Sequence, residues 1–293
     1  MDNRAEVREF LITRRAKVSP ADAGLPDVGR RRVAGLRRSE VAALAGVSVE
    51  YYAKLERGSI AGASASVLDA IAQALQLTEA EYAHLLDLAQ AADGVPSSGR
   101  SRRRAVKPGP VRPSLQWALA SVKDGIAVVR DQRQDLVAAN DLGRAFYSPL
   151  IGDGGRTPNF ARFQFLDPAS REFYPEWAAM AGMCVAVMRA EAGRDPHDKG
   201  IQDLVGELST RSDVFRTLWA AHNVRNHGAG VKHFRHPVVG DLTLVYEQLS
   251  VSADPGQVML IYTAEPGSPS DERLKLLASW AADSVSTTFG KLD

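Results

Sequence analysis

The sequence predicts an all-α domain of five helices joined to an α+β domain, and three observations carry that prediction. Apolar residues recur at helical spacing through about the first 90 residues. Residues 92–114 then break the pattern with Gly, Pro, Ser, five Arg and one Lys. Beyond them, short runs of β-branched and apolar residues alternate with helical stretches, as in antiparallel strands with helices set to one side. A chain of 293 residues suits two domains. The expected division is 1–91, a flexible basic linker at 92–114, and 115–293.

In the first part, Arg4 to Lys17 reads as a helix with Val7, Phe10, Leu11 and Arg14 near one stripe. Ser19 to Gly35 is a loop containing Arg30-Arg31-Arg32. Leu36 to Gly58 reads as two short helices around a tight turn. The first carries Val41, Leu44 and Ala45 on one face, and Gly46 follows where a left-handed residue is needed. Val47 plugs the turn, and Ser48 can cap the next helix by accepting from its free N–H groups. Tyr52 and Leu55 then face inward with Val47, while Ser48, Val49, Glu50 and Lys54 point outward together. That is the layout of a DNA-reading helix-turn-helix. Ser64 or Ser66 can open a fourth helix with Val67, Leu68, Ile71, Ala72 and Leu75 at helical spacing. Thr78-Glu79-Ala80-Glu81 has the form of a capping box and opens a fifth, with Tyr82, Leu85, Leu86 and Ala89 buried.

The second part begins with a helical stretch, Leu115 to Val122. Ile126 to Val129 and Leu136 to Ala139 read as strands joined by a polar turn. Asn140-Asp141 suits the start of a helix running through Phe146. Asp167-Pro168 supplies a cap and first-turn proline for a long helix reaching about Ala192. Ile201 to Leu208 and Ser212 to His222 read as helices. Val231 to Arg235, Leu242 to Ser250 and Val258 to Ala264 read as strands, and Ser270 to about Val285 as a closing helix.

The net charge of +1 hides an asymmetry. Residues 1–114 hold 18 Lys and Arg against 13 Asp and Glu, a net of +5, and residues 115–293 hold 18 against 22, a net of −4. Only the first part is therefore suited to a polyanion. Met1 to Lys17 is charged throughout, unlike a signal peptide. No stretch approaches the roughly 20 apolar residues of a membrane helix. With a single cysteine, Cys184, the expectation is a cytoplasmic protein without a disulfide or a membrane partner.

Several features invite a chemical reading beside a bland one. His222, His227, His233 and His236 fall close together, but their spacing matches no zinc motif. Cys184 lies on an apolar stretch with Met180, Met183, Val185, Val187 and Met188, where thiols are usually inert packing. The aromatic and Met-rich run Phe173, Tyr174, Trp177, Met180, Met183, Cys184 and Met188, preceded by Phe160, Phe163 and Phe165, is more often core than pocket. Such side chains also line adaptable apolar cavities. No phosphate loop, paired metal motif or nucleophile elbow occurs, so no enzyme, cofactor or metal is expected.

Leu36, Val41, Ala42, Ala45, Gly46, Val47, Tyr52, Leu55, Glu56 and Gly58 together resemble the Cro/repressor-like, or XRE, helix-turn-helix family. The second part resembles the ligand-binding domain of MmyB-like transcription regulators, which has a PAS-like fold. That resemblance rests on Val137 to Asn140, Asn159 to Pro168, Phe173 to Trp177, Ser212 to Trp219 and His236 to Tyr246. It implies a small-molecule-responsive, homodimeric regulator of actinobacterial type that binds a double-stranded operator. Arg38 then resembles a phosphate-holding position, and Ser48, Val49, Glu50 and Lys54 resemble base-facing ones. Arg57 and Tyr51 look placed for backbone contacts, and Arg15 and Glu56 resemble a buried ion pair. Glu50 either accepts from a cytosine amine or only complements the helix dipole. Arg31 and Arg32 either meet DNA or lie in a solvated loop, and the same choice holds for the basic linker.

The resemblance further implies a pocket between the Met-rich helix and the sheet, lined by Phe146, Phe160, Phe163, Phe165, Trp177, Met180, Met183, Cys184 and Trp219. Tyr246 and Tyr262 would close the opposite wall. The ligand would be mostly apolar, such as a fatty acyl chain or polyketide-like metabolite. Arg144 or Arg162 would anchor a carboxylate, or else form a surface salt bridge. The rival reading makes the second domain a protein-interaction module with no small-molecule ligand.

Overall fold

The computed structural model describes residues 3–26, 35–93, 111–152, 155–221 and 229–289. The helices before the sheet are α1 (Asn3–Lys17), α2 (Arg38–Leu44), α3 (Val49–Glu56), α4 (Ala65–Ala74), α5 (Glu79–Ala92) and α6 (Pro113–Ser121). Strands β1 (Ile126–Arg130) and β2 (Leu136–Ala139) follow. Next come α7 (Asp141–Phe146), α8 (Ser148–Ile151), α9 (Phe160–Leu166), α10 (Ala169–Phe173), α11 (Trp177–Arg194), α12 (Lys199–Arg211) and α13 (Asp213–Ala220). Strands β3 (Ala229–His236), β4 (Gly240–Ser250) and β5 (Val258–Thr263), then helix α14 (Pro269–Phe289), complete the order.

These residues form two compact units. The first draws on Met1–Val106, Val185–Asp203 and Thr217–Asn226, the second on Lys107–Cys184, Leu204–Arg216 and His227–Asp293. The first unit thus takes in segments from far along the sequence, beyond the expected linker. Most of that linker lies outside the described residues.

The first unit packs α1–α5 around Val7, Phe10, Leu11, Val41, Tyr52, Leu55, Ile71 and Leu85. Its caps follow the sequence. The Ser48 hydroxyl accepts from the Tyr51 N–H, and Thr78 and Glu81 form a capping box. Charges on α1 are also buried here. Arg14 pairs with Glu81 of α5, and Glu6 pairs with Arg189, whose guanidinium lies 4.1 Å from the centroid of the Trp219 ring.

The second unit is built on a five-stranded antiparallel sheet in the order β2-β1-β5-β4-β3. One face carries Ile126, Val128, Leu242, Leu244, Leu260 and Tyr262, packed with Phe146 of α7, Phe173 of α10 and Leu277 of α14. The opposite face of β1 meets Leu115 and Leu119 of α6. Covered on both sides, β1 is buried at every position, which explains its apolar run from Ile126 to Val129.

One expectation is corrected. The single helix from Asp167 to about Ala192 is two helices, α10 and α11. Pro175 disfavours a helical conformation at the residue before it, and Tyr174 is extended at φ −109, ψ 99. The short α9, capped by Asn159 accepting from the Arg162 N–H, was also not anticipated.

His236 is buried at the end of β3. Its ring stacks on Phe146, its Nε2 lies 3.2 Å from the Ala145 carbonyl, and its Nδ1 accepts from the Val238 N–H. Burial holds its pKa below the usual 6.5, against the hydrogen bonds that raise it. A lowered folded pKa favours the neutral ring. The stability it contributes is present above about pH 6.5 and is lost as pH falls through the folded value. Asp131, pushed up to about 6 by burial, acts in the opposite sense. The difference between wild type and a His236→Gln variant therefore isolates the ring. Wild type should lose more urea stability than the variant between pH 7 and pH 5, and parallel pH dependences would refute the assignment.

Candidate functional site

Helix α3 presents one edge to solvent and buries the other. Tyr52 and Leu55 are buried, while Ser48, Val49, Glu50, Lys54 and Arg57 are exposed. Gly46 makes the turn between α2 and α3 at φ +64, the left-handed region where a side chain is strained. Gly58 ends α3 at φ +92, and a Cβ there would collide with the Arg4 carbonyl on α1. Glu50 stands in the first turn of α3, where its charge complements the helix N-terminus. Tyr51 is half-buried and packs against the core. Arg31 and Arg32 lie outside the described residues.

The seat of α3 is the carboxylate of Glu56, which is wholly buried. Arg15 of α1 donates from Nε to Glu56 Oε1 at 2.5 Å and from Nη1 to the Leu36 carbonyl at 2.7 Å. Arg38 of α2 donates to the other oxygen, Oε2. The Arg15 pair is the one the family resemblance implies, and Arg38 joins it. The phosphate-holding position that the resemblance implies for Arg38 is thus partly spent on Glu56, although its side chain is 52% exposed. Beside this network, burial and then the Glu56 charge hold the Tyr52 hydroxyl well above its usual pKa.

In the second unit, the expected pocket residues separate into groups. Phe146, fully buried, touches Tyr147, Phe173, Phe234 and Tyr262 with ring centroids 4.9–6.3 Å apart, so it is the centre of the core. Phe163 packs on Phe173 and Tyr174, and Phe160 on Tyr147. Phe165 lies against Trp177 and Phe215. Trp177 donates to the Gln164 carbonyl and the Ser170 hydroxyl under the Arg171 guanidinium. Met180, Met183 and Cys184 are half-buried along α11. Trp219 belongs to the first unit, apart from the others.

The two expected anchors have partners elsewhere. Arg144 is exposed and bound to Asp141 and the Ala139 carbonyl. It borders a groove of about 840 Å³ among α6, β2, α7 and α14 that contains none of the expected aromatic lining. Arg162 is held by Glu207 at 2.8 Å. Burial pushes the Cys184 thiol up to about 12, which keeps it protonated and unreactive. Lys232 reaches the inner face beside Tyr246 and Tyr262, and Arg130 reaches Gln248 farther along it. Sequence reasoning missed both; Lys232 stood at an inward position of an alternating strand, which was the available signal.

Replacing Glu56 by Gln would leave the largely covered Arg15 without a carboxylate. Breaking one half of a buried pair costs about 3–5 kcal/mol. The Glu56→Gln chain should therefore lose the cooperative melting of its first unit before any change in sequence preference is seen. An unaltered melt would show that the network is not what seats α3.

The family model for the MmyB-like transcription regulator ligand binding domain matches residues 111–277, more than half of the chain. A model for a helix-turn-helix domain matches residues 29–85. No curated protein gives a significant match.

Proposed function

The chain belongs to the MmyB-like transcription regulators, and from that premise we infer that it reads a specific operator and that its second unit senses a mostly apolar small molecule. The observation that carries the DNA reading is the outward row Ser48, Val49, Glu50 and Lys54 on a helix whose inner edge is fixed at Glu56. Lys54 and Ser48 read base edges, while Arg57 and Arg38 hold phosphates. The protein works in the cytoplasm as a homodimer. Its two reading helices meet half-sites about 34 Å apart. A ligand regulates by binding one dimer geometry better than another. Its site lies between the half-buried Met180, Met183 and Cys184 and the sheet, with a fatty acyl or polyketide-like body as the fitting class. The basic linker, residues 92–114, transmits the difference.

A second reading, a protein-interaction module, has its own support in Trp117 and Leu276, which are 72% and 63% exposed on α6 and α14. Native mass spectrometry of the full chain decides between them. The sensor reading expects a dimer retaining a small molecule, and the interaction reading expects a second protein only.

Two measurements follow from the sensor and DNA readings. Lys54→Ala should weaken operator binding by roughly 1–3 kcal/mol with little loss of non-specific binding. Ser48→Ala is a less clean test, because it also removes a helix cap worth about 1 kcal/mol. Arg57→Ala should weaken specific and non-specific binding together and flatten the salt dependence. Footprinting at two salt concentrations reads both, and unchanged affinity throughout would remove α3 from the interface. Separately, long-chain acids should quench Trp177 fluorescence saturably in the full chain, and the effect should vanish in Trp177→Phe. Quenching that persists in the variant would place the ligand elsewhere.

A further inference from the structure

Helix α1 is gripped on two sides. Residues 4, 11 and 15 fall along one line of the helix and residues 3, 6, 10 and 14 along another, as helical periodicity requires. The first line holds the reading helix. Arg15 donates to Glu56, the last residue of α3, and the Arg4 carbonyl lies where a Cβ on Gly58 would fall. The Arg4 guanidinium adds a bond of 3.3 Å to the Ser59 hydroxyl just beyond. From its first turn and from its last, α1 therefore meets the C-terminal end of α3.

The second line of α1 is held from far along the chain. Glu6 pairs with Arg189 of α11, which is fully buried, and the same guanidinium donates to the Trp219 carbonyl and lies over the Trp219 ring. Burial works against the Arg189 charge, and Glu6 opposes that effect. Arg14 pairs with Glu81 of α5 and donates at 3.3 Å to the Ala221 carbonyl, just past α13. Helix α11 fits closely at this point. Ala190 packs against the core of α1–α5, and a Cβ on Gly193 would fall 2.6 Å from the His84 ring of α5. The segment that supplies Arg189, Val185–Asp203, belongs to the first unit, although α11 begins at Trp177 in the second.

We propose that Arg189 is a positioning residue for DNA reading: it holds Glu6 and so fixes α1, and α1 fixes the end of α3. Specific recognition then needs residues of α11 as well as those of the helix-turn-helix. A carboxylate buried without a partner is costly, so α1 shifts when Arg189 is lost rather than keep Glu6 where it is. A displacement of α11 therefore changes how Ser48 through Lys54 are presented, without any change to those residues. The proposal rests on the reading of DNA by α3, and the test separates the two.

The test uses the full chain, a duplex selected by the wild-type protein from random sequence, and a scrambled duplex of the same length, all well below the melting midpoint of each variant. Arg189→Met should lower the ratio of specific to non-specific affinity roughly ten-fold, a usual size for coupling between sites. The double variant Glu6→Leu/Arg189→Met removes both charges and should recover the melting temperature, because an apolar pair commonly replaces a buried ion pair without loss. It should not recover the ratio, because the guanidinium fork that fixed α1 is gone. Hydrogen exchange in the double variant should quicken at the α3 amides of Tyr52 to Leu55 and stay at the wild-type rate in α4. Recovery of the ratio together with the melt, or loosening spread equally over α3 and α4, would make Arg189 an ordinary stabilising residue and overturn the proposal. Arg189→Lys keeps the charge without the fork and should lower the ratio by a smaller factor. It carries the test if the Met variants do not fold, and an unchanged ratio in it would refute the role. If wild type shows no preference for the selected duplex, the DNA reading fails, and the exchange comparison alone decides whether Arg189 holds α3.

Discussion

The placing of α3 depends on one buried carboxylate. Glu56 is the last residue of α3, and its two oxygens are taken by guanidinium groups from α1 and α2. Three helices are therefore fixed at a single point behind the edge that faces outward. Desolvating a carboxylate is costly, and only partners for both oxygens offset that cost. The return is orientation. With Tyr52 and Leu55 buried beside it, α3 has little freedom to rotate, and Ser48 through Lys54 project as a set.

The second unit divides its inner face in a comparable way. Around Phe146, rings meet edge to face at about 5 Å and fill the space, as aromatic pairs prefer. That region is core, and its residues hold the sheet against α7 and α10. Tyr262 belongs to the same cluster, meeting Phe146 and Phe234, and its ring and that of Tyr246 carry the Lys232 ammonium at the cluster's margin. A buried ammonium is thus accommodated against aromatic faces within an otherwise apolar packing.

Charges buried on α1 follow a third pattern. Glu6 meets Arg189, His84 lies 4.0 Å from Glu6, and Arg14 meets Glu81. Without these partners, Glu6 and Arg14 would be charged residues on the buried stripe of an amphipathic helix. The first unit is thus completed by residues far along the chain, and a boundary drawn from composition alone does not show this.

Local chemistry was legible in the sequence. Gly46, Ser48 and the Thr78–Glu81 box mark turns and caps whose causes lie within a few residues, and the strand runs were visible from their alternation and β-branched content. Where a nearby signal was overlooked, as with Pro175 splitting α10 from α11, the cause was still local. The partners of buried charges were not legible in the same way. That Arg38 shares Glu56 with Arg15, that Arg189 meets Glu6, and that Lys232 lies between two tyrosines were decided only by the tertiary structure. The reason is that backbone preference acts over one or two turns, whereas the energy of a buried charge is set by whichever groups the fold brings within a few ångströms, however distant they are along the chain.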